Sequence, residues 1–190
     1  MKKVLSVLLA LTMVLSLAAC GSKNTEETGA IQEVPATAVE ILEKTWAEYA
    51  ESEKFAIIGG NVEAGIMDTP ANYDMEYAEN MTYNLLVPAD QIANVAEAAS
   101  MIHMMNANTF TCGVFRMAEG VSAADFGAAM QAAVQGNMWM CGFPETLLIK
   151  DIAGTYVLVA FGLNDTMTTF EKHLAEVYPN AETLYSEPIG

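Results

Sequence analysis

Cysteine, histidine and methionine are the residues of this chain whose types and spacing could do chemistry. Cys112 and Cys141 stand in the body of the sequence. A disulfide between them would close a loop of about 30 residues, worth about 3.5 kcal/mol in the chain-entropy model. The alternative is a pair of free, buried thiols acting as small hydrophobes. They are too far apart for a C-x-x-C redox motif. The histidines are His103 and His173. His173 lies beside Glu171 and Lys172 in a charged stretch, which predicts a surface position.

Methionine is over-represented, with 13 in the chain. Two clusters stand out, Met101-Ile-His103-Met104-Met105 and Met138-Trp139-Met140-Cys141. Thioether, thiolate and imidazole ligands suit Cu(I), so Met101, Met104, Met105, Cys112 and Cys141 form a candidate soft-metal set. On a helix through this region, Met101, Met104 and Met105 share a face, while His103 joins the apolar stripe opposite. Either the helix breaks near His103 or the methionines meet a second apolar surface. Adaptable core filler is the competing account of these side chains.

Patterns for other chemistries are missing. There is no G-x-S-x-G, H-E-x-x-H, P-loop or S-x-x-K string, and no D-x-D-x-D-G calcium loop. A cysteine-dependent enzyme would need a Cys–His pair assembled in space, and nothing local favours one. Two unusual strings, Asn106-Ala-Asn108-Thr-Phe-Thr and Trp139-Met-Cys-Gly-Phe-Pro144, could line a ligand groove through Asn106, Asn108 and Trp139. A turn followed by a strand start explains both strings as well.

The N-terminus carries a different chemistry. Met1-Lys2-Lys3 is followed by an apolar run from Val4 to Ala19, then Cys20-Gly21-Ser22. The run is shorter than the roughly 20 residues of a spanning helix and has the charge and length of an export signal. Leu17-Ala18-Ala19-Cys20 resembles the bacterial lipobox. That resemblance implies cleavage before Cys20 and a diacylglyceryl group on its sulfur, with palmitate-type chains as the anchor. Two acyl chains hold a protein stably, at about 0.8 kcal/mol per buried CH₂. Residues 20–35 then read as the lipidated cysteine and a flexible polar tether, with an r.m.s. span near 20 Å.

Processing leaves residues 20–190, enough for one domain with a real core. Lys2 and Lys3 leave with the signal, so the mature chain has 6 basic and 24 acidic residues, a formal balance of −18. Such a surface repels nucleic acid and anionic headgroups. Asp68, Asp74, Glu76 and Glu79 are the densest acidic group and read as a solvated loop.

Thr37-Ala-Val-Glu40 is a capping box opening a helix to about Ser52. Met81–Val87 reads as a strand, with Pro88 starting a helix through Ile92, Val95, Ala99 and Ile102. Residues 108–117 read as a strand with Phe110, Cys112 and Val114 on one face. A helix from Ser122 carries Phe126, Met130 and Val134 and stops at Gly136. Strands at 147–149 and 156–161 turn around Ala153-Gly154. A last helix, capped by Asn164 or Asp165, bears Phe170, Leu174 and Val177, and residues 182–189 form an edge strand. This order predicts one α+β domain over residues 36–190, a mixed, mainly antiparallel sheet covered by helices in a two-layer sandwich.

The lipobox, the polar tether, the short α+β domain, and the strings Met104-Met-Asn-Ala-Asn-Thr-Phe110 and Trp139-Met-Cys-Gly-Phe-Pro144 together resemble small lipoproteins of Gram-positive gut bacteria whose domains have no assigned function. The resemblance implies a lipid-anchored protein on the extracytoplasmic face of the cell membrane, and supplies no activity. The expectation is a non-catalytic binding or accessory domain with a cell-envelope ligand or protein partner. A Cu(I)-binding lipoprotein and a cysteine enzyme are the alternatives. No cofactor is expected beyond the lipid on Cys20.

Overall fold

In the computed structural model, residues 34–190 are described. The segment read as an export signal, Cys20 and most of the expected tether lie outside them, so the reading of Cys20 concerns residues the structure does not describe.

Eight strands form one sheet: β1 Ile57–Gly59, β2 Ile66–Met67, β3 Ala71–Asn72, β4 Val95–His103, β5 Phe110–Met117, β6 Thr146–Ile152, β7 Tyr156–Gly162 and β8 Glu182–Pro188. They lie in the order β2-β1-β4-β5-β7-β6-β8, with β3 on β4. Every pairing among the described residues is antiparallel. The helices are α1 Ala38–Ala47, α2 Met81–Asn84, α3 Ala123–Gln135 and α4 Asn164–Val177. The expected α+β sandwich is what the structure shows.

Helices cover both faces, which adds a third layer. On one face, Ile41, Leu42 and Trp46 of α1 and Phe170 and Leu174 of α4 pack on Met101, Cys112, Leu158 and Ala160. On the other, Phe126, Met130 and Val134 of α3 meet Phe115, Ile149, Val159 and Phe161, and Met81 and Leu85 join them. A strand buried on both sides loses the polar alternation that marks a half-buried one. Hence β7 reads as a continuous apolar run in the sequence.

The capping box forms. Thr37 Oγ1 accepts from Glu40 N–H at 3.3 Å, and Glu40 Oε2 accepts from Ala36 N–H at 2.7 Å. Ser122 caps α3 as expected, accepting from Asp125 N–H at 3.2 Å. The α4 start differs. Neither Asn164 nor Asp165 caps it; Leu163 holds the cap position, and Glu145 Oε2 accepts from Asn164 N–H at 2.9 Å. The β6–β7 turn has Ala153 and Gly154 at φ 59° and 66°, the left-handed pair of a tight hairpin.

Two expected elements are reversed. The helix through Ile92, Val95, Ala99 and Ile102 is absent; residues 92–94 make a 3-10 turn and Val95–His103 is β4. Ala98 and Ala99 are fully buried there, one toward each layer. Alanine favours a helix intrinsically, but here its small side chain lets α1 approach the sheet, and packing overrides propensity. The strand at Met81–Val87 is instead the short helix α2 and a loop. Met81 and Leu85, four residues apart, are both buried, so the helical period decides that segment.

Candidate functional site

The end of the sheet where β4 stops and β5 starts gathers most of the residues singled out above. A 3-10 turn at Asn106–Asn108 joins these strands. It is braced by Thr109 Oγ1, which donates to Asn106 O at 2.8 Å, and by Met105 N–H, which donates to His103 Nδ1 at 2.9 Å. The His103 ring stacks on Phe55 with centroids 4.8 Å apart. Its partial burial lowers its pKa and keeps it neutral.

Opposite this turn runs the segment from α3 to β6. Gly136 ends α3, and Asn137 N–H closes back on Val134 O at 3.3 Å. Trp139 turns inward and meets Phe161 with ring centroids 5.5 Å apart. Its neighbours Met138 and Met140 turn outward and are 87% and 82% exposed. Gly142 then passes close to the Asn106–Thr109 turn. A Cβ at Gly142 would lie 2.2 Å from Thr109 Oγ1 and 2.5 Å from Asn106 O. Glycine is required by that approach, whatever the backbone angle.

Between these walls lies a cavity of about 320 Å³, lined by Asn106, Thr109, Thr111, Asn137, Trp139 and Cys141 among others. It adjoins a recess of about 500 Å³ walled by Thr82, Tyr83, Asn84 and Leu86. The two share Thr111, Asn137, Trp139 and Phe161, so they form one groove around the indole. No Asp, Glu, Lys or Arg lines either part. The Trp139 Nε1 atom is buried and has no hydrogen-bond partner. An unpaired buried donor costs about 1–3 kcal/mol, and because this atom is shielded, what the indole offers the groove is ring surface.

The sequence-derived groove residues divide. Asn106 and Trp139 meet in this cavity, whereas Asn108 lines a neighbouring recess with Phe55, His103 and Glu145. Sequence reading missed Tyr83, Asn84 and Asn137. Tyr83 sits on the segment taken for a strand; the Met81–Leu85 spacing was the signal that would have placed it outward.

The candidate metal set is dispersed. Met101 and Cys112 are cross-strand partners on β4 and β5, both buried in the α1–α4 core. Burial pushes the Cys112 thiol well up, so it stays protonated. Met105 and Cys141 line the Trp139 cavity, and Met104 is exposed outside it. With β4 a strand, the shared helical face of Met101, Met104 and Met105 does not exist. Cys112 and Cys141 are both free: one is buried in the core and the other exposed, so the considered disulfide is not formed. Among the described residues no group of three or more His, Cys, Asp or Glu could hold a metal ion.

His173 is not on the surface. It is 3% exposed, because Phe170 and Leu174 carry that face of α4 inward. Its Nδ1 lies 3.0 Å from Glu176 Oε2 and its Nε2 3.2 Å from Glu53 Oε2. The ring sits 4.5 Å from Tyr49. With a carboxylate at each nitrogen, it ties the loop after α1 to α4 and has no nitrogen free for a substrate. Burial raises the Tyr49 pKa, and its hydroxyl has no partner.

Asp68, Asp74, Glu76 and Glu79 are all exposed, and Asp74 caps a 3-10 turn, its Oδ1 accepting from Glu76 N–H at 2.9 Å. No helix among the described residues is long and apolar enough to cross a membrane. Compared with known proteins, the chain matches no family model, no curated protein and no solved structure.

Proposed function

We propose that this chain is an extracytoplasmic lipoprotein, anchored through a diacylglyceryl thioether on Cys20, whose domain binds a cell-envelope ligand without transforming it. The observation that carries the binding reading is the groove around Trp139, free of Asp, Glu, Lys and Arg and walled by the exposed Tyr83. Concave sites with ring faces and a few convergent polar groups are the usual form of a ligand site.

Tether geometry supports this reading. Tyr156 OH donates to Pro35 O at 3.1 Å, so the chain enters the domain beside the first residue of β7. The groove lies at the other end of the sheet, beyond Phe161. Seven strand residues span about 20 Å, which separates the entry of the chain from the mouth of the site.

A catalytic role is poorly supported. Cys141 and His103 line one cavity, but His103 Nδ1 already accepts from Met105 N–H. A neutral imidazole arranged so carries its proton on Nε2, leaving no lone pair to activate a thiol. The same argument removes His103 as a metal ligand. A soft-metal role keeps one favouring observation: the cavity lining includes Met105, Met138, Met140 and Cys141, a sulfur set free of carboxylates. Titration with Cu(I) against a competing chelator tests it, and micromolar or weaker affinity ends it.

For the main reading, native mass spectrometry of the protein incubated with cell-envelope fractions should show a retained ligand, lost in Trp139→Ala. A Cys20→Ser chain should leave the membrane fraction or stall in maturation. Unchanged partition and processing of that variant would overturn the anchor.

A further inference from the structure

Resting on the reading of the Trp139 groove as a ligand site, we infer that its ligand is an uncharged carbohydrate. The chain has 24 acidic and 8 basic residues, yet none of them lines the groove. A phosphate, carboxylate or sulfate would lose its water there and meet no cation. An amine would meet no carboxylate. The ligand is therefore neutral.

The lining then separates the neutral classes. Tyr83 is 81% exposed at one side, and the Trp139 indole forms the centre. Between and beside them stand the amides of Asn106 and Asn137, that of Asn84, whose nitrogen also donates to Tyr73 OH at 3.1 Å, and the hydroxyls of Thr82 and Thr111. An acyl chain would cover the rings but strand these polar groups, each at a desolvation cost. A peptide that docks by adding a strand needs an open edge. Here the floor is β5, whose two sides are already paired to β4 and β7. A pyranose has what remains to be matched: C–H faces for aromatic rings and hydroxyls for amides and threonines.

The test uses the full chain in a zwitterionic detergent without a sugar headgroup. Neutral tetrasaccharides of glucose, mannose, xylose and N-acetylglucosamine are titrated by calorimetry, beside a uronic-acid tetrasaccharide, an uncharged hexapeptide and a fatty alcohol. At least one neutral sugar should bind, with affinity at least about tenfold lower in Trp139→Ala and in Tyr83→Ala. The uronic-acid sugar should bind at least about tenfold more weakly. Tyr83 is solvent-exposed, so its variant folds and isolates the contact. Sugar binding unchanged in Tyr83→Ala overturns the inference. A peptide or alcohol that binds in a Trp139-dependent way, with no sugar bound, overturns the carbohydrate and leaves the groove. Absence of any binding overturns both.

Discussion

Replacing Gly142 by alanine should open the wall of the groove while leaving the core intact. The added Cβ would sit 2.2 Å from Thr109 Oγ1 and 2.5 Å from Asn106 O. Ordinary contact begins near 3.4 Å, so the two segments must part by about 1 Å. Thr109 is itself held by its 2.8 Å hydrogen bond to Asn106 O, and one backbone atom cannot rotate aside. Overpacking of this kind costs about 1–3 kcal/mol. The reduced freedom of the unfolded chain returns about 0.4–1 kcal/mol. A net loss of about 1–2 kcal/mol follows, which lowers the melting temperature of a domain this size by roughly 3–6 °C. Gly127→Ala is the control. Its Cβ, within α3, would come closer than ordinary contact only to the tip of Leu184 on β8, at 2.9 Å, with Ile149 Cγ2 at an ordinary 3.5 Å. A flexible side chain yields, and alanine gains about 1 kcal/mol of helix propensity over glycine. Thermal melts by circular dichroism, with acrylamide quenching of tryptophan emission, read both effects. Gly142→Ala should melt lower and expose Trp139; Gly127→Ala should stay within about 1 kcal/mol of wild type. A Gly142→Ala protein with wild-type melting and an equally shielded Trp139 would refute the packing argument.

Of the two thiols in the domain, Cys141 should react with iodoacetamide in the native protein and Cys112 only on unfolding; peptide mass spectrometry that finds both modified natively would contradict the fold. Ala153 holds φ 59° in the β6–β7 turn, where a side chain costs about 1–2 kcal/mol. Ala153→Gly should therefore raise the urea midpoint by about 0.5–1 kcal/mol equivalent after the entropy cost of glycine, and a lowered midpoint counts against that geometry. Burial pushes the Tyr178 hydroxyl up to about 12. The folded state thus holds its proton more tightly than an unfolded tyrosine near 10. The stability from this group is complete below pH 10 and falls as pH rises from 10 to 12, by about 1.4 kcal/mol per unit. Tyr178→Phe should flatten that slope in urea titrations; an unchanged slope would place the hydroxyl in water.

How much of this was legible in the sequence depended on where each period survived burial. Helix α3 was readable because Ser122 caps it and Phe126, Met130 and Val134 repeat every fourth residue. The β6–β7 hairpin was readable from two apolar runs around Ala153-Gly154. Strand β4 was not, because its Glu-Ala-Ala core favours a helix locally and is held extended by β5 on one side and β1 and β3 on the other. That error carried into the site. It put Met101, Met104 and Met105 on one imagined face, whereas the strand sends Met101 inward and ends before the other two. His173 was misplaced for a related reason: its charged neighbours point outward while the ring turns in to Glu53 and Glu176. Asn106 and Trp139 were found as unusual strings in otherwise regular surroundings. The groove they share with Tyr83 and Asn137 depends on contacts between segments distant in the chain, which no local pattern encodes.

The chain has two tryptophans, Trp46 and Trp139, so an indole N–H spectrum of the nitrogen-labelled protein reports the groove with an internal reference. Trp46 is a residue of α1 buried in the core on the other face of the sheet, outside the groove. On addition of a digest of cell-envelope material, the Trp139 resonance should move in a saturable way while that of Trp46 stays still. A Trp139 resonance that never moves, or a response confined to Trp46, would contradict the assignment of the groove as the ligand site.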